Sequence, residues 1–333
     1  MPAVQRLLSL ALPALAACNA LVGFGELEKV TVVRADAGDD GDDEDDAPPG
    51  TSPDDGGGAT PDAPPAQPSC DPTKPFEAPV ALAGPVNSAA FEVAPTLMTN
   101  ELTIVFQRTV GPFGGSALMA TRASVDEPFG EPVELTVLAQ GLDGVQQPAM
   151  SVDGLLVFFV GLGGSSSAIY TASRASTAAA FGNRRAFVEV NSSADESFPG
   201  LTPDAAEMWF SVEPSAGAPR HLVRSVRDKI GGYGPAVAVS ELTSSKDEAG
   251  VAFSPDGLTI YFGSGRDGGK GESDIWTASR TTLTAAFGPA TPVAELNTAK
   301  AEVPGWVSAD GCRLYFASER QGDGDLFVAT RGR

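Results

Sequence analysis

Several things are scarce in this 333-residue chain, and each scarcity removes a class of chemistry. There is one histidine, His221. Serine–histidine–carboxylate or cysteine–histidine catalysis would have to use it, and a histidine-rich metal site is excluded by number. Basic residues are outnumbered, 22 against 43 acidic, for a net charge of −21. Nucleic-acid phosphates need Lys and Arg to neutralise them, so this balance argues against nucleic acid and against charge-driven docking on anionic lipid. Helical periodicity is missing after the first residues. The Gly-rich stretch 263–273 lacks the glycine–lysine–hydroxyl spacing of a phosphate loop.

What is present begins with one basic side chain, Arg6, and an apolar run at residues 7–17. The run has the length of a signal-peptide core and is too short to span a bilayer. It ends in Leu15-Ala16-Ala17-Cys18, which resembles the bacterial lipobox. That resemblance implies cleavage before Cys18 and lipidation of Cys18. With Asn19 following, it implies an envelope protein tethered by acyl chains, in the outer membrane, facing the periplasm or the surface. Eleven acids and no Lys or Arg lie in residues 36–62, so about half of the net charge is local. Charge repulsion and proline make such a segment an extended spacer with too little apolar surface to fold. The expected organisation is a signal peptide at 1–17, a tether at 18–75 and a folded domain at 76–333.

The folded domain repeats. An Asp-Gly turn followed by an aromatic strand, clearest in SPDGLTIYFGS at 254–264, recurs five times. The turn's Asp column falls at Asn100, Asp153, Asp204, Asp256 and Asp310, with steps of 53, 51, 52 and 54. Phenylalanines follow six residues on, at Phe106, Phe159, Phe210, Phe262 and Phe316. Arginines close a later strand at Arg122, Arg174, Arg227, Arg280 and Arg331. Phe129, Phe181, Tyr233 and Phe287, each followed by Gly, open another. The Phe and Arg columns read as structural. Four strands (A to D) in about 50 residues is the signature of a β-propeller blade. In blade four, strand B spans 258–262, strand C 275–280 and strand D 289–296.

The fifth unit lacks strand D, and residues 76–82 supply one at the same 53-residue step. The expectation is therefore an all-β, five-bladed propeller whose N-terminal strand completes the last blade, which leaves no open seam. Cys70 precedes that strand and Cys312 lies in the last blade, so a Cys70–Cys312 disulfide is expected in an exported protein.

Blades four and five carry Ser264-Gly265-Arg266-Asp267-Gly268 with Asp274-Ile275-Trp276, and Ser318-Glu319-Arg320-Gln321-Gly322 with Asp325-Leu326-Phe327. With the Ser-Pro-Asp-Gly turn, this pattern resembles the PD40, or TolB-like, class of WD40-like propeller repeat. The resemblance covers residues 76–333 and implies the fold more than the function. Blades one to three keep the strands and lose most of the loop motif.

Eight residues before the Asp column stand Glu92, Glu196, Glu248 and Glu302, with Val145 in blade two. They begin the innermost strands, so they are candidates for a carboxylate ring at the channel mouth, joined by Arg108, Arg266 and Arg320 from B–C connections. The Asp-Gly turns lie on the opposite face. A polar funnel for a partner and a set of structural ion pairs are both open readings of that face. No copy of the Glu stands out from the repeat, so no catalytic residue, cofactor or metal site is assigned. His221 is expected at the surface. The sequence is read as a monomeric scaffold for a protein or envelope polymer. The alternative is a glycosidase-like enzyme using mouth carboxylates.

Overall fold

The structure, a computed structural model, describes residues 70–109, 114–163, 166–229 and 231–333. Cys18, the signal segment and most of the tether lie outside the described residues. The domain consists of five four-stranded antiparallel sheets. Blade one is β2 (Phe91–Leu97), β3 (Thr103–Thr109), β4 (Gly115–Thr121) and β5 (Val133–Glu134). Blade two is β6 (Gly144–Met150), β7 (Leu156–Gly163), β8 (Ser166–Ser173) and β9 (Gly182–Ala186). Blade three is β10 (Asp195–Leu201), β11 (Glu207–Glu213), β12 (His221–Val226) and β13 (Val237–Ala238). Blade four is β14 (Glu248–Phe253), β15 (Thr259–Ser264), β16 (Asp274–Ser279) and β17 (Thr291–Pro292). Blade five is β18 (Glu302–Val307), β19 (Arg313–Ser318) and β20 (Asp325–Thr330), and β1 (Val80–Ala81) completes it.

Closure follows the expected route. Val80 pairs with Val328, Phe76 bridges Arg331, and Cys70 is disulfide-bonded to Cys312 with Cα atoms 5.7 Å apart. The fold reaches back to residue 70, since Asp71 N–H donates to the Gly332 carbonyl.

The four sequence landmarks have physical partners. Asp153, Asp204, Asp256 and Asp310 each accept, on Oδ1, the hydroxyl of a Ser or Thr two residues before and the amide two residues after. Asn100 does the same for the Leu102 amide. This side-chain closure mimics a backbone turn. The next residue takes positive φ, supplied by Gly154, Gly257 and Gly311, but by Glu101 (60°) and Ala205 (53°) in blades one and three. The strand-C arginines lie over the aromatic rings that open strand D: Arg122 on Phe129 at 4.3 Å, Arg174 on Phe181 at 4.6 Å, Arg280 on Phe287 at 4.8 Å. Arg227 lies over Tyr233, and the closing strand reproduces the pair as Arg331 on Phe76 at 4.0 Å. The five phenylalanines of strand B are fully buried. Burial of such a side chain stabilises the fold by about 2–3 kcal/mol.

Strand D is shorter than expected. Only Thr291–Pro292 pair in blade four, against an expected span of 289–296. The outer strand has one neighbour, and Pro292 has no amide to extend the ladder. The chain instead turns inward and buries Leu296, as it buries Leu138 and Leu242 in other blades.

Candidate functional site

In blades one, three, four and five the start of the innermost strand carries a carboxylate clasped by a hydroxyl four residues earlier. Ser88 Oγ donates to Glu92 at 2.6 Å, Ser192 Oγ to Glu196 at 2.6 Å, Ser244 Oγ to Glu248 at 2.5 Å and Thr298 Oγ1 to Glu302 at 2.7 Å. The backbone amide of the same Ser or Thr donates to the same carboxylate. The clasp closes the D–A connection as a cap closes a helix, with donors that would otherwise be orphaned. Blade two lacks both halves together, having Gly141 and Val145. All four Glu side chains are buried, at 0–1 % exposure, so they stand beneath the loops instead of in the open mouth.

Three of the four also hold an arginine. Arg108 Nε donates to Glu92 at 2.6 Å. Arg266 reaches Glu248 at 3.2 Å, and Arg320 stands 3.6 Å from Glu302. In the Ser-x-Arg motif, Ser264 and Ser318 accept from the Nε of Arg266 and Arg320. These guanidinium groups lie over Phe262 and Trp276, and over Phe316 and Phe327. They also donate to the carbonyls of Leu242 and Leu296. Burial lowers the pKa of both, opposed by the neighbouring carboxylate. The motif is thus a clamp tying the B–C loop to the preceding D–A connection.

Glu196 departs from the set. Across the ladder it meets Val212, where Glu92 meets Arg108. Its Oε2 is buried without a hydrogen-bond partner. Burial pushes its pKa up against the bonds from Ser192, with nearby Asp195 adding to the rise. Glu302 also shifts upward through burial, opposed by Thr298, Ser318 and Arg320. The break in the repeat therefore lies in the partner of Glu196, which the Glu column alone does not display. His221 opens β12, on strand C as expected and partly exposed, with Nδ1 3.1 Å from Glu248 Oε2 of the next blade. At the end of the stretch 263–273, Asp274 Oδ2 accepts the amides of Lys270 and Gly271.

A concavity of about 270 Å³ lies at the other end of the ring, toward the Asp-Gly turns. The feature that positions it is a β-bulge in every innermost strand, two or three residues after the Glu position. Ala94, Gln147 and Phe198 take positive φ there, and Gly250 does so in blade four. Gln107 and Gln147 satisfy amides freed at this level, accepting from Gln147 N and Phe198 N of the next blade, both at 2.8 Å. Blades five and one approach so closely that a Cβ on Gly305 would collide with the Pro95 carbonyl. Beyond the bulge the wall is uncharged, built from Met150, Val251, Phe253, Trp306 and Thr96. The sequence offered no signal for this cavity, since bulges leave no period in the side-chain pattern. Among the described residues, no group of three or more His, Cys, Asp or Glu is placed to hold a metal ion.

No protein-family model matches the chain, and no curated protein matches it. Solved structures do. A putative TolB from Agrobacterium tumefaciens is 19 % identical over 69 % of this chain and 71 % of its own, with a TM-score of 0.43. The α-L-arabinofuranosidase PaAbf62A from Podospora anserina is 13 % identical over 80 % of this chain and 99 % of its own, with a TM-score of 0.53. Zg3597, a family 117 glycoside hydrolase from Zobellia galactanivorans, is 11 % identical over 77 % of this chain and 90 % of its own, again with a TM-score of 0.53. At these identities the likeness is one of fold.

Proposed function

We propose that this propeller is a non-catalytic binding module, lipid-anchored at Cys18 in a bacterial cell envelope, that holds a protein or envelope polymer. One observation carries the reading. The carboxylates placed to serve a hydrolytic centre are built into the fold: each is clasped by Ser or Thr, and three are also beside Arg. A hydrolase of the two-carboxylate kind needs one acid and one base or nucleophile free to meet substrate.

A second reading, a carbohydrate-active enzyme, is favoured by Glu196. It has no arginine and a raised pKa, as a general acid requires. The two readings separate in one experiment on the full chain. Purified protein is assayed against a panel of aryl glycosides and, immobilised, is exposed to a solubilised envelope extract. Capture of an envelope component with no glycoside turnover supports the binding module. Turnover that is lost in Glu196→Gln supports the enzyme and overturns the module.

A further inference from the structure

We infer that Glu196 is the acceptor for an arginine side chain of a partner protein. The inference rests on the binding-module reading and gives it a site and a partner chemistry. The repeat itself supplies the comparison. In blades one, four and five, three groups gather a guanidinium from the chain: the clasped Glu, the carbonyl six residues before it, and the ring of the strand-B Phe. Arg108 donates to Glu92 and to the Val86 carbonyl and lies over Phe106 at 5.6 Å. Arg266 donates to Glu248 and to the Leu242 carbonyl and lies over Phe262 at 4.8 Å. Arg320 stands beside Glu302, donates to the Leu296 carbonyl and lies over Phe316 at 5.2 Å.

Blade three keeps all three groups in register and supplies no arginine of its own. Glu196 is clasped by Ser192, Val190 stands six residues before it, and Phe210 is the strand-B ring. The arginine positions are taken by Val212, in the column of Arg108, and by Pro214, in the column of Arg266 and Arg320. The basic side chains next along the chain are engaged elsewhere. Arg220 pairs with Glu213 at 2.5 Å, and His221 with Glu248. Glu196 Oε2 is left buried without a hydrogen-bond partner, and the charge acting on the carboxyl is that of another acid, Asp195. A buried carboxylate without a cation is costly, and a guanidinium suits it better than an ammonium because its donors are fixed in a plane and it is more weakly hydrated.

The approach to this carboxylate runs along exposed chain. Pro214, Ser215, Ala216 and Gly217 are exposed and Val212 is partly exposed. In the column of Val212, Ser264 and Ser318 are buried and accept from Arg266 and Arg320. The loop that folds an arginine inward in blades four and five therefore leaves that place open to a partner in blade three.

The probes are two fluorescently labelled, capped tripeptides, Gly-Arg-Gly and its citrulline counterpart, which keeps the shape of arginine and lacks its charge. Binding to the full chain is followed by anisotropy up to millimolar protein. The arginine peptide is expected to bind about tenfold or more tightly than the citrulline peptide, as a charge-assisted bond to a carboxylate requires. Glu196→Gln should bring the two peptides together. Val212→Arg places a guanidinium across from Glu196 as Arg108 stands across from Glu92, and should also abolish the preference. Thermal unfolding of each variant confirms that it is folded. Equal affinity of the wild type for both peptides, no binding of the arginine peptide, or an arginine preference that survives in Glu196→Gln overturns the inference. Capture of an envelope component and glycoside turnover are read separately, so failure of this site and failure of the binding-module reading are distinguishable.

Discussion

Glu196 stands across the β10–β11 ladder from Val212, in the place where blade one sets Arg108 across from Glu92. This one exchange leaves a buried carboxylate oxygen without a partner. Burial raises the pKa of this carboxyl, opposed by the bonds from Ser192.

The pH dependence follows from the direction of the shift. The folded carboxyl titrates above its unfolded value of about 4.3. Its contribution to stability is therefore fully present below that value and is lost as pH rises through the folded pKa. Glu196→Gln mimics the protonated form at every pH. The variant should be more stable than wild type at pH 7, by on the order of 1 kcal/mol. The difference should vanish toward pH 4, as read from urea unfolding at both values.

Removing Glu248 should destabilise the fold. It accepts from Ser244, Arg266 and His221. Glu248→Ala strands buried donors, including a guanidinium, and should cost about 3–5 kcal/mol. Equilibrium unfolding at pH 7 checks this, and a loss below about 1 kcal/mol would contradict the clasp.

Closure rests on a two-residue strand, one bridge and the Cys70–Cys312 bond, which spans 242 residues. In the chain-entropy model a loop of that length makes the bond worth about 5 kcal/mol. Replacing both cysteines with serine should lower the melting temperature to that of the reduced wild type, and reductant should then have no further effect.

Ala205 holds φ at 53° where three other blades place glycine. That conformation costs a residue with a Cβ roughly 1–2 kcal/mol. Ala205→Gly should raise stability by about 0.5–1 kcal/mol after the entropy of glycine in the unfolded chain is subtracted, measurable as a rise in melting temperature.

The fold was legible because each landmark has a partner at the same period. Arg280 needs Phe287, Asp256 needs Ser254, and Ser244 needs Glu248, so losing one member exposes the other. The N-terminal strand showed itself through Phe76, whose arginine waits at the far end of the chain. What sequence could not show is depth. Glu92, Glu248 and Glu302 sit at the channel end of the innermost strands, yet the loops above bury them. His221 finds Glu248 only across a blade boundary. The cavity depends on bulges at Ala94, Gln147 and Phe198, residues that do not advertise a left-handed backbone.

The most direct test of the account is turnover of aryl glycosides by the full chain, wild type beside Glu196→Gln. The binding-module account predicts no hydrolysis by either protein, with the variant the more stable of the two at pH 7. Hydrolysis by wild type that disappears in Glu196→Gln would contradict it.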